Sequence, residues 1–146
     1  MDLTNTPRIV LPEIENLDNI DVYLEHFGFK GLKKALKMKP DDVINEVKAS
    51  KLRGRGGACF PTGLKWSFMP KTDDKPKYLA INGDESEPGS FKDRQIFEYN
   101  PFALIEGILI AAYSMNIKAS YIYIRGEYHK WIYMMEDALK AAYENG

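Results

Sequence analysis

The segment KLRGRGGACFPTG, residues 51–63, concentrates four glycines and two arginines. Gly54, Gly56 and Gly57 expose backbone N–H groups and let a ligand approach the main chain, and Arg53, Arg55 and Lys65 set positive charge beside them. Amides and cations together suit a phosphate. The spacing is neither the GxGxxG nor the GxxxxGK[ST] fingerprint. A tight surface turn with solvated arginines, or an RGG-type RNA-binding segment, would use the same residues. A second group is acidic: Asn82, Asp84, Glu85 and Glu87 directly follow an expected strand. That carboxyl end is where open α/β sheets bind ligands, and carboxylates there accept hydrogen bonds from ribose or ribityl hydroxyls. A solvated acidic turn is the plainer alternative, and a metal site would need ligands converging from a single loop. Phe60 and Phe68 flank Lys65 and Trp66, and a flat base could stack between such rings, although core packing is the ordinary use of phenylalanine.

Other reactive side chains lack partners in the sequence. His26 and His129 belong to no motif, and Cys59 has no evident histidine base, so a nucleophilic role is not expected. No catalytic acid or base and no metal-ligand set is assigned. The aromatic series Tyr121, Tyr123, Tyr128, Trp131 and Tyr133 reads as core or interface.

The elements that must position these loops follow from periodicity. Residues 1–17, with Pro7 and Pro12, read as an irregular arm. Ile20, Tyr23, Leu24 and Phe27 fall at helical spacing after Asp18 or Asn19 as N-cap, and Gly28 stops that helix. Leu32, Ala35 and Leu36 mark a second short helix. Pro40 opens a third around Val43, Ile44 and Val47. The glycine window cannot be the interior of a helix or strand. KYLAI, residues 77–81, reads as a buried parallel strand. Asn100 and Pro101 supply an N-cap and first turn for a helix to about Met115, which should bury Phe102, Ile105, Leu109 and Ala112. SYIYI, residues 120–124, is a second strand, and Met135, Leu139 and Ala142 place a last helix from about Lys130 to Tyr143. Strand, loop, helix, strand and helix imply an α/β fold with a βαβ unit and parallel strands, preceded by short helices. Two strands do not complete a sheet, and the pattern reads as truncated at Gly146.

At 146 residues the chain is one ordinary domain, or one with a small appendage. Its formal net charge of −1 lacks the basic excess of a general nucleic-acid binder. A single cysteine excludes an internal disulfide and a four-cysteine metal or iron–sulfur site built from this chain alone. The opening MDLTNTPRIV lacks signal-peptide character, and the apolar stretch Phe102–Tyr113, interrupted by Glu106, is too short to span a bilayer. These features fit a soluble protein of a reducing compartment, with membrane attachment only through partners.

Four segments in order, LRGRGGACFPTGLKWSF (residues 52–68), NGDESEPGSFKDR (82–94), LIEGILIAAY (104–113) and YIYIRGEY (121–128), resemble the family of NADH- and FMN-binding subunits of respiratory complex I, the NADH:quinone oxidoreductase. The resemblance runs from about residue 20 to the last residue. Diaphorase subunits of NAD-reducing hydrogenases and formate dehydrogenases share these motifs. The resemblance implies a Rossmann-like FMN fold in which residues 1–50 form an arm and short helices, and 51–146 form the N-terminal part of the FMN/NADH-binding domain. It implies FMN contacts from Gly54, Arg55, Gly56, Gly57 and Lys65 and from Asn82, Asp84 and Ser86. It implies NADH contacts from Phe60, Phe68 and Glu87. Hydride would pass from NADH to FMN and electrons onward through iron–sulfur clusters to quinone. A 4Fe-4S cluster would be held by a C-terminal part absent from these 146 residues, so this fragment alone should be inactive. The implied partners are other peripheral-arm subunits, including a 2Fe-2S subunit. The implied location is cytoplasmic, on the inner membrane through the complex. A diaphorase part, or a non-catalytic nucleotide-binding or assembly module, is the alternative. Three positions depart from the family: Cys59 and often Ser86 stand where it has Gly, and Gly83 where it has Ala. Ser86 and Gly83 read as small, harmless changes, Cys59 as the least comfortable.

Overall fold

The structure, a computed structural model, describes residues 10–72 and 74–146. Most of the arm expected over residues 1–17, including Pro7, lies outside them. The elements in order are α1 (Ile20–His26), α2 (Lys30–Ala35), α3 (Pro40–Ala49), α4 (Thr62–Ser67), β1 (Tyr78–Gly83), α5 (Lys92–Tyr99), α6 (Pro101–Met115), β2 (Ala119–Ile124) and α7 (His129–Glu144). The α/β class holds: β1 and β2 pair in parallel in a two-stranded sheet. The chain divides into two compact units, and the division passes through both strands and α6.

One unit comprises residues up to Gly28, Asn82–Glu106 and Ile122–Gly146. Asn19 caps α1 as expected, its side chain accepting from the Asp21 N–H at 2.8 Å. Gly28 ends α1 in the left-handed region at φ +57°, its N–H returning to the Tyr23 carbonyl, a conformation that costs glycine nothing. Leu17, Tyr23, Phe97, Phe102, Ile105, Met135 and Ala138 are buried here, and the Tyr23 and Phe102 rings meet at 5.7 Å. Tyr23 donates its hydroxyl to Glu106, and burial followed by that bond pushes the phenol well above its ordinary range.

The other unit comprises Phe29–Ile81 and Gly107–Tyr121. Pro40 opens α3 as its first residue, and Val43 and Ile44 are buried with Ala35, Ala111 and Met115. Here α4 packs on α3 at Gly63, where a Cβ would lie 2.5 Å from the Lys48 backbone nitrogen.

Several expectations need correction. KYLAI is not a buried strand: β1 alternates exposed and half-buried positions, and Tyr78 is 56% exposed, the pattern of a strand covered on one face. Leu109 is 42% exposed and Ala112 only half-buried, because the buried stripe of α6 runs through Phe102, Ile105, Ala111 and Met115. Asn100 does not cap α6 with its side chain: Nδ2 donates to the Val10 carbonyl at 2.8 Å, and buried Oδ1 has no hydrogen-bond partner. Tyr121, Tyr123 and Tyr133 are exposed rather than core.

Gly63 should be intolerant of a methyl group because its neighbour is backbone, which cannot rotate away. Gly63→Ala is expected to destabilise the protein by about 1–3 kcal/mol, the usual cost of overpacking. Chemical denaturation measures it, and an unchanged midpoint would show that α3 and α4 have slack.

Candidate functional site

The glycine loop belongs to the second unit and closes on itself. An antiparallel bridge joins Arg53 to Pro61, the Gly54 N–H donates to the Phe60 carbonyl at 2.9 Å, and Arg53 Nη1 donates to the Cys59 carbonyl at 3.1 Å. Arg53 therefore staples the base of the loop, while the tip stays exposed. The amides of Arg55, Gly56, Gly57 and Ala58 have no hydrogen-bond acceptor among the described residues, nor do the side chains of Arg55 and Lys65. A Cβ on Gly56 or Gly57 would meet nothing within 4 Å, so this chain's packing does not explain those glycines. Gly57 also sits at φ +106°. Cys59 takes a left-handed φ of +51°, where a side chain costs about 1 kcal/mol, which is the physical meaning of a glycine at that position. Its thiol is exposed.

Phe60 and Phe68 are brought together, with centroids 6.1 Å apart and planes at 54°. Tilted rings at this distance touch each other and offer no parallel slot, so a base would stack on an outer face or part the pair. Phe68 is 65% exposed and that face is available.

The acidic loop belongs to the first unit, and its members do not act alike. Asn82 Oδ1 accepts from the Asp84 N–H at 3.0 Å in an Asx turn. Asp84 accepts from the Ser86 hydroxyl at 2.9 Å, and Ser86 accepts from Arg125 Nη1 at 3.1 Å. The loop thus links the three expected residues Asn82, Asp84 and Ser86 directly, while Glu87 is exposed. Glu85, grouped by sequence with the ligand-facing carboxylates, is turned inward with its side chain 1% exposed. It accepts from Ser90 Oγ at 3.0 Å, from the Asp93 N–H at 2.9 Å and from Arg94 Nε at 3.3 Å. Burial pushes its carboxyl upward, but these bonds outweigh burial and hold it below the usual range. Gly83 is not a neutral stand-in for alanine here: a Cβ would lie 2.7 Å from Phe97 Cζ and 2.8 Å from the Tyr123 carbonyl oxygen.

Sequence reasoning missed Arg94, Arg125 and Tyr128. Arg94 lies over the Tyr128 and Trp131 rings at 5.1 and 5.6 Å, and Tyr128 donates its hydroxyl to the Glu85 carbonyl at 2.7 Å. Arg125 grips Glu127 with two bonds of 3.0 and 2.9 Å, which hold that carboxyl down at about 2. The available signal was the adjacency of Arg125, Glu127 and Tyr128 in RGEY, just past a strand. None of the expected site residues lines the cavity of about 450 Å³ among Lys39, Ile44, Lys48, Trp66, Met69 and Met115. No helix among the described residues is long and apolar enough to cross a membrane.

A parallel α/β chain with an amide-rich open loop and a hydrogen-bonded acidic turn past the first strand has the makings of a nucleotide-cofactor domain. Residues 47–146 match the family described as the Nuo51 FMN-binding domain, and the chain belongs to that family. It is 51% identical over 139 residues to an NADH-quinone oxidoreductase subunit of Rhizobium meliloti (strain 1021), covering 89% of this chain and 33% of the relative. It is 52% identical over 127 residues to the NADH-quinone oxidoreductase subunit of the same name in Streptomyces coelicolor, covering 87% and 28%. To the mitochondrial NADH dehydrogenase [ubiquinone] flavoprotein 1 of Dictyostelium discoideum it is 50% identical over 132 residues, covering 86% and 28%. The chain thus spans a third or less of the length of these relatives. Among solved structures it is similar to an air-oxidized NAD+-reducing [NiFe]-hydrogenase, with a TM-score of 0.71 and 32% identity over 84% of this chain and 22% of the other.

The buried carboxylate gives a test of the acidic loop. Because the folded state lowers its pKa, Glu85 stabilises the protein above the unfolded value of about 4.3 and loses that contribution as pH falls through the folded value. Glu85→Gln should cost on the order of 2 kcal/mol at pH 7, and the gap from wild type should shrink below about pH 4. Denaturant unfolding at several pH values reads it; a gap independent of pH would mean the charge is not what holds the loop.

Proposed function

We propose that this chain supplies NADH- and FMN-contacting parts of a complex I-type NADH:quinone oxidoreductase subunit. The observation that carries the reading is the run of open amides from Arg55 to Ala58, with Arg55 and Lys65 beside it, in a member of the FMN-binding family. Unpaired N–H donors with cations nearby fit the phosphate of FMN. In this reading Gly54, Arg55, Gly56, Gly57 and Lys65 hold that phosphate end, and Asn82, Asp84 and Ser86 meet the flavin's hydroxyl-bearing chain. Phe60 and Phe68 carry the NADH adenine, and Glu87 accepts from a hydroxyl of NADH. The FMN-binding part begins near residue 51, after the arm and short helices. When bound, FMN takes the hydride from the nicotinamide; the chain's own residues bind, orient and keep the two rings in register. The partners are the other peripheral-arm subunits, a 2Fe-2S subunit among them, and the location is the cytoplasmic face of the inner membrane. A diaphorase role in an NAD-reducing hydrogenase is the second reading, favoured by the 0.71 TM-score. Identities near 50% to quinone oxidoreductase subunits favour the first. The large subunit that co-purifies with the native protein separates them.

Gly56→Val in the full-length subunit is a clean probe, because nothing in the chain lies within 4 Å of the new Cβ. FMN should be lost from the purified subunit with the thermal melt unchanged. Full flavin stoichiometry in that variant would refute the loop's role. For the dinucleotide, Phe68→Ala removes an exposed ring, and KM for NADH should rise about tenfold, equivalent to roughly 1.4 kcal/mol of stacking, at unchanged FMN content. Unaltered NADH kinetics would return Phe68 to an ordinary surface role.

A further inference from the structure

Arg125 follows the last residue of β2, at the carboxyl end where sheets of this class present ligand-binding groups. Its guanidinium is fixed twice: two N–H groups grip Glu127 at 3.0 and 2.9 Å, and its carbon lies 5.4 Å from the centre of the Tyr128 ring. A third N–H, on Nη1, donates to Ser86 Oγ at 3.1 Å. Arginine donates only, so Ser86 must accept there and has one proton left, which it places on Asp84 at 2.9 Å. The hydrogen bonds therefore run in one direction, from Arg125 through Ser86 to Asp84. The carboxylate at their end is also held from the main chain, since the Asp84 N–H is taken by Asn82 Oδ1.

We propose that Arg125 is a positioning residue that acts through the Ser86 hydroxyl to fix the Asp84 carboxylate as an acceptor for the vicinal hydroxyls of a flavin's ribityl chain. This rests on the FMN reading above and adds a residue outside the two loops to it. Without the hydroxyl of Ser86 the guanidinium has nothing through which to orient Asp84. A lysine at 125 cannot grip Glu127 with two parallel bonds and still reach Ser86. Ordering a carboxylate before the ligand arrives removes part of the entropy cost of binding.

The test uses the full-length subunit stripped of flavin, titrated with FMN and separately with lumiflavin, which has the same ring and no ribityl hydroxyls. Ser86→Ala and Arg125→Gln should each raise the FMN Kd about tenfold and leave the lumiflavin Kd unchanged, and Arg125→Lys should not restore FMN affinity. The double variant should be no worse than either single one, because both cut the same path. A merely structural role would shift both ligands and the thermal melt together. Wild-type FMN affinity in Ser86→Ala overturns the inference, as does a double variant whose loss is the sum of the two. Should Arg125→Gln lower the melt, Ser86→Ala, which alters an exposed side chain, decides alone. If the wild-type subunit binds no FMN at all, the wider functional reading falls and takes this inference with it.

Discussion

The acidic loop depends on one buried charge. Glu85 is an ionised carboxylate with almost no contact with water, and such a group is tolerated only when its lone pairs are met by donors. Here the donors come from Ser90, Asp93 and Arg94, so satisfying the charge draws the start of α5 onto the end of β1. The carboxylate takes the place of a local cap: Phe91, the residue before α5, makes no side-chain capping bond, and Glu85, six residues earlier, binds the Asp93 N–H instead. Arg94, once recruited, lies over Tyr128 and Trp131, and Tyr128 returns its hydroxyl to the Glu85 carbonyl. The turn that carries Asn82, Asp84 and Ser86 is therefore braced from behind by a residue that touches no ligand.

The glycine loop is arranged the other way. Its base is stapled by the Arg53 bridge and guanidinium, and its tip is left with amides that nothing among the described residues satisfies. An exposed amide hydrogen-bonds to water at little cost, so openness here is compatible with a stable fold. It also leaves donors available to an anion. Rigid at the neck and unsatisfied at the tip is how a backbone cradle avoids having to break its own bonds before it binds.

Legibility in the sequence followed the range of the interactions. The first three helices, the two strands, α6 and α7 were readable because their determinants are local: Asn19 before Ile20, Gly28 after His26, Pro at positions 40 and 101. The two helices that escaped notice have non-local causes. α4 begins Thr62–Gly63, poor helix formers, and exists where Gly63 lets it lie on the Lys48 backbone. α5 is capped by Glu85 from outside the helix. The same limit applies to the site. Residue types announced the two loops, but Asn100 turned its amide to Val10, ninety residues away, and Glu85 turned inward, because burial is decided by neighbours that periodicity does not name.

The glycines show which absences of a side chain are explained by the fold. At Gly63 and Gly83 a methyl group would strike backbone within 3 Å, so packing alone requires glycine. At Gly57 the left-handed backbone is sufficient reason. Gly56 has ordinary φ and open space, and nothing in this chain forbids a side chain there. A glycine costs conformational entropy on folding, of order 0.5–1 kcal/mol relative to alanine in regular structure. When neither geometry nor packing accounts for it, the remaining physical reason is something outside the chain that must come close to the backbone. In a member of the FMN-binding family, flanked by Arg55 and by free amides, that something is most economically a phosphate.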